Sequence, residues 1–232
     1  MRSADFSEFE KKINVTFNKP ELLKQAFTHR SYLNENPKLG INHNERLEYL
    51  GDAVLELAVS EYLFEKFPDK PEGELTAYRA ALVNTVIIGE AASELGMNDY
   101  LLLSRGETKD TGKARQYILA NTFEALIGAI HLDRGYDVAK NFIGQNLYHR
   151  LPDILKNRLW QDAKSGFQEK AQEVAGITPT YRVLEESGPD HDKQFIIGVY
   201  LENDLVAKGS GKSKQEAEQE AARRGLESKK WN

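Results

Sequence analysis

The chain contains no cysteine among its 232 residues. Disulfides, thiolate nucleophiles and cysteine-ligated zinc are thereby excluded, and the composition fits a reducing compartment. Long apolar runs are also missing: none approaches the roughly 18 residues of a membrane span. The opening residues, Met-Arg-Ser-Ala-Asp-Phe, include no apolar signal region. The expectation is a soluble, cytoplasmic protein with no membrane partner. Excess positive charge is lacking too. The net charge is −5, with 20 basic and 23 acidic residues up to Trp160 and 11 and 13 after it. Neither part advertises nucleic-acid binding by its overall field, so any such contact must come from a local basic patch. There is no internal repeat and no low-complexity tract. The length suits one large domain or two smaller ones.

What is present is an unusual acidic helix. Glu45, Glu48 and Asp52 recur at spacings of three and four, which places them on one helical face. Leu47, Leu50, Val54, Leu55 and Ala58 give the same segment an apolar side. Two readings stand side by side. Asn42 with Glu45 fits a variant capping box, and the remaining acids could be a solvated face. Alternatively, the carboxylates sit where solvation is limited and await a divalent cation. Gly51 favours the second, because glycine inside a helix costs about 1 kcal/mol relative to alanine and implies close approach of another backbone.

Residues 1–156 read as all-α. Helical patterns cover Pro20 to Thr28, Asn44 to Phe67 (stopped by Pro68), Thr76 to Leu95, Ala114 to Leu132 (ended by Gly135) and Tyr136 to Leu155. In the third of these, Leu82, Val83, Val86 and Ile87 fall on one side. A short linker, 157–161, follows. Residues 162–232 change texture: a helix over Ser165–Val174 with Phe167, Ala171 and Val174 on one side, then strands over Thr180–Glu185, Gln194–Leu201 and Leu205–Gly209, and a helix over Ser213–Ser228. Asn203-Asp204 reads as the turn between the second and third strands. The order α-β-β-β-α describes a small α+β domain.

Gly209-Ser210-Gly211-Lys212-Ser213-Lys214 leads into the last helix, where glycines, helix N–H groups and lysines together suit an anion. A nucleoside triphosphate loop is rejected, because Val206 stands where that motif requires glycine. The whole of Asp162–Leu226 resembles a double-stranded RNA-binding domain, through Ser165-Gly166-Phe167-Gln168-Glu169, Pro179-Thr180-Tyr181, Gly188-Pro189-Asp190-His191, Phe195 and the run from Gly209 to Glu218. The resemblance implies recognition of A-form duplex by shape. It places Ser165, Gln168 and Glu169 on the first helix and His191 on a strand loop against minor grooves. Lys212, Ser213 and Lys214 would then lie against the phosphates between them.

The first domain has its own likeness. The run His43 to Val54 closely resembles the signature of the ribonuclease III family, which couples an all-α nuclease to this RNA-binding module. Thr28-His29-Arg30-Ser31-Tyr32, Pro71-Glu72-Gly73-Glu74-Leu75 and Asn121 to Ile130 match further family marks. The resemblance implies a Mg²⁺-dependent double-strand-specific endoribonuclease, with Mn²⁺ as a substitute metal. Its products would carry 5′-phosphates, 3′-hydroxyls and short 3′ overhangs, and its role would be rRNA and mRNA processing. Glu48, Asp52 and Glu124 would be catalytic metal ligands, Asn121 a fourth ligand, and Glu45 and Glu72 supporting acids. A homodimer is implied, with Tyr49 and Gly51 at the contact. His29 is left out of the site as a helix-end or packing residue, and Glu56 is expected to face solvent or a partner subunit. One departure stands out: asparagine occupies position 121, where the family usually has aspartate, so one anion is missing. The rival reading is a catalytically silent duplex-RNA-binding protein that keeps the nuclease fold for dimerisation.

Overall fold

The computed structural model describes residues 6–109, 111–157, 160, 162–189 and 193–231. His191 and three residues of the expected linker (158, 159 and 161) lie outside them. Contacts divide the chain into two units, Met1–Trp160 and Gln161–Asn232. Among the described residues no helix is long and apolar enough to cross a membrane.

The first unit is helical: α1 (Phe6–Ile13), α2 (Pro20–Ala26), α3 (Arg30–Glu35), α4 (Glu45–Lys66), α5 (Glu72–Leu82), α6 (Thr85–Glu94), α7 (Lys113–Arg134), α8 (Tyr136–Leu147) and α9 (Leu151–Lys156). Its only extended pairing among the described residues is a single parallel bridge, Thr28 to Leu102. The unit is organised on α7, which buries residues on nearly every side from Leu119 to Ile130. A helix apolar all round belongs in the middle of its neighbours. The acidic helix α4 packs along it, burying Leu47, Val54, Leu55 and Ala58 as the apolar spacing requires.

Some segments differ from the sequence expectation. The stretch Thr76–Leu95 is two helices, because Asn84 accepts the Val86 and Ile87 N–H groups at 3.0 and 3.1 Å and starts α6 afresh. Leu82 is buried whereas Val86 is exposed, so they do not share a face. The start of α4 is not an Asn42–Glu45 capping box. Asn44 is the cap residue, buried, with its amide donating to the Ala26 carbonyl. The segment after Gly135 breaks at a 3₁₀ turn, Tyr148–Arg150, before α9.

The second unit runs α10 (Ala163–Ala175), β1 (Thr180–Ser187), β2 (Gln194–Leu201), β3 (Asp204–Gly211) and α11 (Lys214–Lys229). The strands form one antiparallel sheet in the order β1-β2-β3. Phe167, Ala171, Val199, Leu201, Ala221 and Ala222 make its core. Val174 is exposed rather than on that apolar side. The turn between β2 and β3 falls at Glu202-Asn203, with Glu202 left-handed at φ 54°, one residue earlier than expected. Asp162 caps α10, taking the Ser165 N–H at 3.2 Å and hydroxyl at 2.7 Å, and also accepts from Gln219 of α11 at 2.8 Å.

Candidate active site and RNA-binding surface

Two glycines set the geometry of the acidic site. A Cβ on Gly51 would stand 1.7 Å from the Glu124 carbonyl oxygen, and one on Gly128 would stand 2.2 Å from that of Leu47. α4 and α7 therefore touch main chain to main chain, one helical turn of each. The family likeness implies a contact between subunits at Gly51. The residue is instead buried, and the backbone it admits is that of α7 in its own chain. That contact brings Glu48 and Asp52, which flank Gly51 on α4, to the neighbourhood of Glu124 on α7.

The electrostatics show the result. Burial pushes the Glu124 carboxyl up to about 7, and the nearby Asp52 and Glu48 add to the rise. Glu48 is also raised, first by burial and then by Glu45 and Asp52. Among the described residues, every influence on these two groups raises them, and no cation or donor offsets it. Glu45 is different: Arg30 approaches it at 3.5 Å and His43 at 3.7 Å.

A cleft of about 260 Å³ opens here, lined by His29, Asn44, Glu45, Glu48, Ile118 and Asn121. Asn121 is exposed and presents an amide where an acid would add charge. The donor set is all oxygen, suited to Mg²⁺, which keeps several waters and needs few protein ligands. Crowded, half-buried carboxylates such as Glu48 and Glu124 fit such an ion. Among the described residues, no three acidic or histidine side chains gather closely enough to form a metal cage unaided.

Not every expected residue joins the cleft: of the three expected catalytic acids only Glu48 lines it, and Asp52 and Glu124 do not. Glu72 opens α5, accepts the Thr76 hydroxyl at 3.0 Å, and lines a separate cavity of about 430 Å³ with Ser60, Phe64, Leu75 and Arg79. This larger cavity lies away from the acid cluster. Glu56 reaches solvent, as expected, and also pairs with Arg79 at 3.4 Å. Tyr49 is 83% exposed, and Leu57 (51%) and Phe64 (72%) continue its face of α4 as an apolar stripe. His29, left out on sequence grounds, does cap α3, accepting the Ser31 N–H, but it also lines the cleft. Burial lowers its pKa, against the opposing pull of Glu107 and Glu45. The serine two residues after it was the available signal, because it pins the ring.

In the second unit, Gln168, Glu169, Lys212 and Lys214 are exposed. The Ser165 hydroxyl is committed to the Asp162 cap. The glycine run is not a free anion loop. Gly209 and Gly211 belong to β3, and a Cβ on either would strike α11, at 2.1 Å from the Ala221 nitrogen and 2.6 Å from the Glu216 Cβ. The Lys212 N–H is already taken by the Glu216 carboxylate at 2.8 Å, and Ser213 caps α11 through the Glu216 N–H. Of the groups suited to an anion there, the exposed lysine side chains are the ones not engaged in this backbone capping.

The sequence compared with known proteins gives the same division. Residues 19–151 match the Ribonuclease-III-like family and residues 163–229 the double-stranded RNA binding motif. Ribonuclease 3 of Geobacillus thermodenitrificans is 46% identical over 97% of this chain and 92% of its own. That of Enterococcus faecalis is 42% identical over 96% of each. Among solved structures, the nuclease domain of ribonuclease III from Campylobacter jejuni, described with structural flexibility in a region involved in dimer formation, is similar. It is 42% identical, with a TM-score of 0.55, covering 61% of this chain and 98% of that one. A helical body that presses two acid-bearing helices together, joined to an α-β-β-β-α unit and alike in sequence along nearly its full length, places the chain in the ribonuclease III family.

Proposed function

We propose that this double-strand-specific endoribonuclease hydrolyses RNA phosphodiesters with Mg²⁺, as a homodimer acting on structured rRNA and mRNA precursors in the cytoplasm. Residues 1–156 form the nuclease body and 162–232 the RNA-binding domain. The observation that carries the reading is the crowded carboxylate group at the contact of α4 and α7, with Glu124 and Glu48 half-buried and both raised by burial and by neighbouring acids. Glu48, Asp52 and Glu124 hold the metal, and Asn121 contributes its carbonyl oxygen. When bound, Mg²⁺ relieves the repulsion between anionic phosphate and incoming water, acidifies that water and stabilises the departing oxygen. The protein residues fix where the phosphate lies and keep the reacting groups in line. Lys212 and Lys214 grip duplex phosphates, with Gln168, Glu169 and His191 at the minor grooves. The exposed stripe of Tyr49, Leu57 and Phe64 is the dimer face, since a soluble chain rarely leaves such a patch bare. Two sites across one duplex cut one strand each, giving 5′-phosphates, 3′-hydroxyls and short 3′ overhangs.

The test is cleavage of a long perfect RNA duplex with Mg²⁺, beside an EDTA control and the Asn121→Asp variant. Metal-dependent cutting by the unmodified chain is the expected result. Duplex binding without cutting, restored by aspartate, identifies a nuclease disabled at one ligand. Binding with no restoration leaves a silent RNA-binding protein.

A further inference from the structure

His29 is built into the cleft in a way that capping does not require. Serine, threonine, aspartate and asparagine are the strong N-caps, and imidazole is not among them. Its Nδ1 receives the Ser31 N–H at 3.3 Å and lies 2.8 Å from the Ser31 hydroxyl oxygen. That oxygen already accepts the Ser104 N–H at 3.1 Å, so its own proton turns to Nδ1. With two donors facing Nδ1, the neutral ring carries its hydrogen on Nε2. The backbone is pinned as well: the His29 N–H donates to the Leu102 carbonyl at 3.1 Å, and the Leu102 N–H to the Phe27 carbonyl at 2.9 Å. Nε2 is the one polar atom of the ring with no partner among the described residues. It is not among the buried side-chain atoms that lack one, so it is accessible to solvent, and the residue lines the cleft.

The cleft needs such a group. Glu45 and Glu48 offer only acceptors, the Asn44 amide donates to Ala26, and the Asn121 amide would turn its carbonyl, not its N–H, to a cation. An RNA strand entering it brings further acceptors, its non-bridging phosphate oxygens. A lysine or arginine could meet them, but its charge would neutralise the acids that hold the cation. A neutral N–H donor binds the oxygen and leaves the acids available. We propose that His29 is a substrate-contacting residue, donating its Nε2–H to a non-bridging phosphate oxygen of the strand being cut. This rests on the nuclease reading above.

The test uses His29→Asn, which keeps a good N-cap for α3 and removes the Nε2 donor. Single-turnover cleavage should fall on the order of 10- to 100-fold, the worth of one hydrogen bond to a charged group. Its melting temperature should match the parent. In parallel, ¹⁵N spectra of the histidine rings are recorded on Glu124→Gln protein, with and without a short RNA duplex. The expected result is a ring protonated at Nε2 whose Nε2 resonance moves when RNA is added. A folded H29N protein that cuts at the parent rate overturns the proposal, as does an Nδ1–H tautomer or an Nε2 resonance indifferent to RNA. If neither the unmodified chain nor its Asn121→Asp variant cuts RNA, the nuclease reading falls, and the Nε2 response to duplex decides the His29 contact alone.

Discussion

Glu124 carries the conflict on which the site depends. Its half-buried carboxyl is pushed up to about 7 by desolvation and by Asp52 and Glu48. Such a group destabilises the metal-free fold, because its charged form is worse off than in the unfolded chain. Glu124→Gln should therefore abolish cleavage, leave duplex binding intact, and raise the stability of the metal-free protein by about 1–3 kcal/mol. Kinetics, a binding titration and urea unfolding in EDTA read the three effects. A variant that cuts normally would remove Glu124 from the site. Gly51→Ala should act in the opposite sense. With the new methyl 1.7 Å from a carbonyl oxygen, α4 and α7 must part. The overpacking cost is about 3 kcal/mol or more, and chemical denaturation should show it together with lost cleavage.

At the scale of elements, α10 depends on one aspartate. Removing its cap by Asp162→Ala should cost about 1 kcal/mol. Hydrogen bonds from Ser165 and Gln219 hold the Asp162 carboxyl below its ordinary value. A depressed folded value means the stabilisation is fully present above the unfolded aspartate value, about 3.9, and is lost as pH falls below it. Amide exchange at Ser165 and Gly166 should accelerate across that window in the parent and show no such transition in D162A. At the entry to α11, Lys212→Ala with Lys214→Ala should weaken binding to every duplex and reduce the salt slope by about 2. Much of this was legible beforehand. The acids, the α4 stop at Pro68 and the three strands all follow from periodicity and punctuation. What was not legible depended on a partner in space. Asn84 reads as a polar residue within a helix until its side chain is seen to cap the next one. Gly51 predicts a close neighbour without naming α7. The glycines of Gly209 to Gly211 suggest an anion loop until α11 is seen to occupy their space.

For the whole molecule, the exposed stripe on α4 asks for a second copy. Tyr49→Asp with Phe64→Asp should yield a monomer by sedimentation, with each unit folded and long duplex cleavage lost. A dimer that survives both charges would assign that face elsewhere. The main-chain contact between α4 and α7 has one more consequence. Because the two backbones already touch at Gly51 and Gly128, the helices cannot draw closer, and their tight packing resists spreading. The interval between acids on opposite helices is thus a fixed gauge rather than an adjustable jaw. On the proposed metal reading, that gauge would favour one ionic radius: Mg²⁺ makes oxygen bonds of about 2.0–2.1 Å and Ca²⁺ of about 2.3–2.6 Å. Two residues that have no side chain at all would then set which ion fits.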